Sequence, residues 1–171
     1  FPKHPHLHPL LPLRFAAPVA VTIPRLAILT MPLAIPTLTK PKRILETGVA
    51  YGWSSLAILN AISLNGLGSL YSVDMPYPKV GNESFVGIVI PERFRDRWNL
   101  IREPDRYGLE KAIKMAGGGI DLCHYDSDKS WWGRKYAFPI LWKALEPGGL
   151  FISDDIQDNL FFSEFVKSKS L

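Results

Sequence analysis

The chain has 171 residues, 47% of them apolar, which is enough for one domain with a buried core and too little for several. Its net charge of +4 is unevenly spread: Lys3, Arg14, Arg25, Lys40, Lys42 and Arg43 meet no acid as far as Leu45, and the remainder carries 14 basic and 16 acidic residues. The main part of the chain therefore has no positive field with which to recruit nucleic acid. Cys123 is the single cysteine, so an internal disulfide is excluded, and a cytoplasmic, reducing setting is expected.

Nine of the fifteen prolines precede Lys42, and neither helical nor strand periodicity survives between them. Residues 1–40 thus read as an irregular, acid-free leader before a domain over 41–171. Phe15 to Leu38 is apolar, but Pro18, Pro24, Pro32, Pro36 and Arg25 break any membrane span. His4, His6 and His8 alternate in a way that could hold a metal, although a solvated tail is the simpler reading.

A first strand is expected at 43–48. It ends in Glu46-x-Gly48-x-x-x-Gly52 and feeds a helix over Trp53 to Leu64, with apolar spacing at Leu56, Leu59 and Ile62 and a stop at Asn65-Gly66. Gly48 can take the positive φ of a sharp strand-to-helix turn, and Gly52 lets the helix start pack closely and face a ligand with its free N–H groups. An acid at the strand end suits a cationic or hydroxyl-rich ligand better than a pyrophosphate.

The next strand, at 70–75, carries Asp74 near the offset at which a carboxylate bonds ribose hydroxyls. A third follows at 98–102, after which Asp105 can cap a helix that stops at the glycines of 117–119. A fourth at 120–125 leads to Asp126, Asp128 and Lys129. The helix after it contains Pro139, expected to kink it or set its start. Glu146-Pro-Gly-Gly then turns into a fifth strand at 149–154, ending in Asp154-Asp155. Alternating strands and helices give an α/β, Rossmann-like doubly wound parallel sheet, whose ligands lie at the C-terminal strand ends where these acids gather.

Asp126, Asp154 and Asp155 would converge between adjacent strands, and like charges that close cannot all stay ionised without a counter-ion. Oxygen-only ligands favour Mg²⁺ over zinc. The competing reading makes Asp154 a helix cap and Asp155 an ion-pair partner.

These stretches, Lys42 to Ser55, Leu70 to Pro76, Phe85 to Arg93, Asp121 to Ser130 and Leu145 to Ile156, resemble the class I S-adenosylmethionine-dependent methyltransferases. The similarity is to the compact group that includes sugar and macrolide O-methyltransferases and cephalosporin-hydroxylase-like proteins, and it runs from Lys40 to about Val166. It implies strand order 3-2-1-4-5 and O-methylation of a hydroxyl on a small molecule or sugar. Within it Glu46, Gly48 and Gly52 fall at the methionine end of the cofactor, Ser54 at its carboxylate, Asp74 at its ribose and Asp105 near its adenine. The resemblance also puts metal ligands at Asp126, Asp154 and Asp155, and a catalytic base at Asp128 or Lys129. Many relatives place histidine where Lys129 stands, which leaves the base open between the two.

Two other classes compete. A nicotinamide-dependent dehydrogenase shares the glycine turn and Asp74 but does not explain Asp154-Asp155. A non-catalytic or shortened nucleotide-binding module is the stronger rival, because the usual last two strands have no room after Asp155. Without them the fifth strand would be an open edge. Short pieces such as Val19 to Ile23 offer little cover, so a fragment or a homo-oligomer is expected.

Overall fold

Ile44 and Leu45 are neighbours in sequence, both fully buried, and belong to different hydrophobic clusters. Leu122 and Cys123 divide in the same way, as do Leu150 and Phe151. Side chains alternate across a strand, so neighbours that enter different clusters show a sheet covered on both faces.

The computed structural model describes residues 19–22, 31–75 and 81–169, and His4, His6 and His8 lie outside them. The elements are β1 (Val19–Thr22), α1 (Met31–Thr39), β2 (Arg43–Thr47), α2 (Trp53–Leu64), β3 (Ser69–Val73), β4 (Trp98–Ile101), α3 (Asp105–Met115), β5 (Ile120–Tyr125), α4 (Trp131–Ala144), β6 (Leu145–Ser153) and α5 (Phe161–Ser168). Every pairing is parallel, in the order β1-β6-β5-β2-β3-β4. The five expected strands are β2 to β6, and they lie in the expected order 3-2-1-4-5. One cluster packs α3, α4 and α5 on the sheet through residues such as Leu109, Phe138, Phe161 and Phe165; the other packs α1 and α2 through Ile35, Ile58, Leu59 and Ile62.

Two expectations for the leader are corrected. Residues 31–39 form a helix despite Pro32 and Pro36. The two prolines are four residues apart, so they share the buried face beside Met31 and Ile35, and tertiary packing outweighs the hydrogen bond that Pro36 cannot make. The edge of the fifth expected strand is also covered from within, because Val19–Thr22 pairs in register with Leu150 to Ser153. Four residues suffice for that. Pro139 lies inside α4 and does not start it.

At the end of the sheet away from the acids, Arg43 donates to Asp121 Oδ1 at 2.7 Å and to Glu146 Oε1 at 3.1 Å. The Lys42 and Arg43 amides donate to Asp121 Oδ2 at 2.9 and 2.8 Å. Among the described residues no helix is long and apolar enough to cross a membrane.

Candidate active site

Each acid that ends a strand is latched by its own amide to the strand beside it. Asp74 N–H donates to Ile101 O at 3.1 Å, Asp126 N–H to Thr47 O at 3.0 Å and Asp154 N–H to Tyr125 O at 3.0 Å. The sheet's hydrogen-bond ladder thus runs one residue past the strands and sets where these carboxylates begin. Asp74 and Asp126 border a cavity of about 840 Å³ at the C-terminal edge, lined also by Gly48, Asp105, Asp128 and Lys129 among others, while Asp154 lies outside its lining. Four of its lining residues are acids and two, Arg106 and Lys129, are basic, so the cavity favours a cationic ligand.

The turn from β2 to α2 contributes Gly48, Ala50 and Tyr51 to the cavity lining. Gly48, Ala50 and Gly52 all have positive φ, at 78°, 48° and 95°. Asp74 Oδ2 accepts from the Val49 and Ala50 amides, both at 2.7 Å, and so holds the turn against the end of β3. A Cβ on Gly48 would stand 2.3 Å from the Asp126 backbone oxygen, so this glycine permits close contact between the turn and the end of β5. Gly52 does another job: its missing Cβ makes room for the Gly87 backbone at 2.9 Å, and Gly52 does not line the cavity.

Glu46 is fully buried and does not line the cavity either. It lies in register with Ser72 on one side and His124 on the other. Its carboxylate accepts from Ser54 Oγ at 2.6 Å, Ser55 Oγ at 2.5 Å and Ser72 Oγ at 2.9 Å, and Trp98 Nε1 donates to Ser72 Oγ at 3.0 Å. His124 Nδ1 stands 3.7 Å from Glu46 Oε1. Burial pushes the His124 pKa down, but the adjacent Glu46 carboxylate outweighs it and the net shift is upward. Glu46 and Ser54, expected to touch a ligand, are thus brought together as a brace between the sheet and the first turn of α2.

Asp105 is the first residue of α3 and not its cap; Pro104 holds the N-cap position. The Asp105 side chain turns to Ser127, whose Oγ donates to it at 2.5 Å. Burial raises its pKa, with Asp128 and Asp74 adding to the effect and Ser127 opposing it.

Asp126, Asp154 and Asp155 do converge, each offering an oxygen within 4.8 Å of the others. Lys129 reaches into the group: its ammonium lies 2.8 Å from Asp126 Oδ1 and 2.6 Å from Asp155 Oδ2. Burial lowers the Lys129 pKa, but the hydrogen bonds to the two carboxylates raise it further, so the amine is held charged. Asp126 is shifted upward by burial, against the pull of Lys129. Asp128 faces the cavity, and its Oδ1 accepts from the Ser130 amide at 2.9 Å as α4 begins.

Sequence reasoning missed Arg134. It is fully buried in α4, and its Nη2 donates to the carbonyls of Asp154 at 3.2 Å and Asp155 at 2.7 Å. Asp155 has φ 47°, a conformation costly for a residue with a Cβ, and this clamp helps to hold it. An arginine between Gly133 and Lys135 gives no signal of burial in the sequence. Trp131 and Trp132 divide as a core residue and a wall: Trp131 packs edge-on to Phe161 at 5.4 Å, and Trp132, 72% exposed, lines the cavity with Tyr51, Phe85 and Tyr136.

A parallel sheet of this order, with Asp74, Asp105, Asp126 and Asp128 around one cavity at its C-terminal edge, is the Rossmann-like α/β fold that methyltransferases share. The chain belongs to the methyltransferase-domain family, whose model matches residues 45–156. Similar solved structures include a protein described as a caffeoyl-CoA O-methyltransferase from Staphylococcus aureus, 19% identical with a TM-score of 0.59, over 86% of this chain and 64% of that one. Another is CalS11, a TDP-rhamnose 3'-O-methyltransferase of calicheamicin biosynthesis, 16% identical with a TM-score of 0.56, over 81% and 66%. An apo-structure of CmcI is 18% identical with a TM-score of 0.56, over 80% and 57%. The chain spans less than two thirds of the length of each of these structures. No curated protein sequence matches it.

Proposed function

We propose that this chain binds S-adenosylmethionine in the cavity between the Gly48 turn and Asp105, and transfers its methyl group to a hydroxyl oxygen of a small molecule. The observation that carries the reading is that one cavity joins the Asp74-braced turn to Asp126, Asp128 and Lys129, so a methyl donor and an acceptor oxygen can meet inside it. S-adenosylmethionine, when bound, supplies the methyl group on a positively charged sulfur, which the acid-rich lining favours. Asp74 is the candidate for its ribose, since only Oδ2 is occupied by the turn amides in the contacts described above. Asp105, held neutral more readily than an ordinary carboxyl, is the candidate beside the base.

Asp126, Asp154 and Asp155 fit a hard divalent cation such as Mg²⁺: all three offer oxygen, and the group already draws a cation in the form of the Lys129 ammonium. A cation held there would lower the pKa of an acceptor hydroxyl. Asp128 is then the candidate proton acceptor, because it lines the cavity while Lys129, as it stands, carries a proton already. The chain's own contribution is to orient the acceptor against the donor and to hold that proton.

Calorimetric titration with S-adenosylmethionine and with NAD, each with and without Mg²⁺, tests the reading. Binding of S-adenosylmethionine alone supports it. Binding of NAD and not S-adenosylmethionine would replace it with a dehydrogenase, and binding of neither would leave a non-catalytic module.

A further inference from the structure

Lys129 contacts two of the three acids that would hold a divalent cation. Its ammonium contacts carboxylates from two different strand ends, Asp126 after β5 and Asp155 after β6, at 2.8 and 2.6 Å. Those two carboxylates, with Asp154, form the group that can offer one oxygen each within 4.8 Å of one another. A sphere of that size has room for one cation among its oxygens, and a second positive charge beside the first is strongly repelled. The lysine is also separately anchored: its carbonyl accepts from Asn159 Nδ2 at 2.8 Å, so the backbone can stay in place while the side chain moves. Lys129 forms part of the cavity wall, whereas Asp154 and Asp155 do not.

From this we infer that Lys129 is a tethered counter-ion that competes with a divalent cation for Asp126, Asp154 and Asp155. In the metal-free protein it offsets part of the charge of the acids by bridging Asp126 and Asp155, and separates Asp155 from the cavity. When a divalent cation enters, the Lys129 ammonium must leave, and the open space available to it is the cavity it already borders. Metal loading and a shift of Lys129 toward the ligand side are then one event. The inference rests on the metal reading above, and the experiment separates the two.

Mn²⁺ binding is measured by the loss of the free-ion paramagnetic resonance signal, on the full chain and on Lys129→Met, which keeps the length of the side chain and removes its charge. The variant is expected to bind Mn²⁺ about tenfold more tightly or better, since it no longer has to expel a cation from a partly buried site. Acetylation of Lys129, followed by mass spectrometry on the unsubstituted chain, is expected to rise when Mg²⁺ is added, and it decides the matter if the variant does not fold. Equal Mn²⁺ affinity in the two proteins, with Lys129 reactivity unchanged by Mg²⁺, would overturn the competition and leave the metal reading standing. Binding by neither protein, with Lys129→Met shown to be folded, would overturn both.

Discussion

Asp74 holds Ala50 in a backbone conformation that alanine avoids: Oδ2 accepts the Ala50 amide at 2.7 Å while Ala50 keeps φ at 48°. The same carboxylate faces the cavity, so it shapes the turn and is placed to touch what binds there. Asp74→Ala is expected to weaken S-adenosylmethionine binding by about 1.5 to 3 kcal/mol in calorimetry, through lost charge-assisted bonds to the ribose and a looser turn. Unchanged affinity in a folded variant would place the cofactor elsewhere.

Gly48 is expected to tolerate no side chain. Gly48→Ala combines a positive φ with a 2.3 Å approach to the Asp126 carbonyl oxygen, and both objections are to backbone that cannot rotate away. A loss of roughly 3 kcal/mol or more is expected in urea denaturation.

The Glu46 brace yields a stability prediction independent of any ligand. Glu46→Ala strips three hydroxyls and His124 of their shared partner inside the protein, and a loss of roughly 2 to 4 kcal/mol is expected from chemical denaturation. Ser72→Ala in the Glu46→Ala background should then cost less than it does alone, because the two residues act through one hydrogen bond.

Asp121 sets an acid limit. Burial pushes its pKa up, but hydrogen bonds from the Arg43 side chain and from the Arg43 and Lys42 amides bring it below the ordinary 3.8. A lowered pKa means that the folded state binds the proton less readily than the unfolded chain does. The stability from this cluster is therefore present above 3.8 and is lost as pH falls through the lower folded value. Asp121→Asn is expected to cost roughly 1 to 2 kcal/mol at neutral pH, a figure reduced for partial exposure, and the gap from the parent chain should close in strong acid. A gap that stays constant down to strong acid would mean that the charge plays no part.

The pairing of β1 with β6 is tested by replacing Ala20 and Val21 together with proline, which removes whichever of their amides faces β6. Faster hydrogen exchange along Leu150 to Ser153, with self-association on size exclusion, is expected as the edge opens. Unchanged exchange would mean that β1 adds nothing to the sheet.

Strands β2 to β6 were legible in the sequence because each is a short apolar run closed by an acid or a turn. β1 was not, since the five residues between Pro18 and Pro24 carry no periodic signal, and α1 was hidden by prolines whose spacing matters only once a second helix is there to bury them. Site residues were legible as far as their position at strand ends. Their directions were not. Glu46 has the same parity as buried Ile44 and therefore points under α2, where the hydroxyls of Ser55 and Ser72 await it, and neither serine stands out in the sequence. The Lys129 contact with Asp155 joins residues 26 positions apart and depends on how β5 and β6 are placed side by side.

The contact between Gly48 and the Asp126 carbonyl bears on how such a site can diversify. Backbone against backbone leaves no adjustable spacer between the turn proposed to face a donor and the strand end proposed to face an acceptor. The separation of two reactants lodged there is a constant of the framework, insensitive to side-chain exchange. Selectivity can then drift by swapping Tyr51, Phe85 or Trp132 at the exposed rim, each at least 49% open to solvent, while the reacting distance stays as it was.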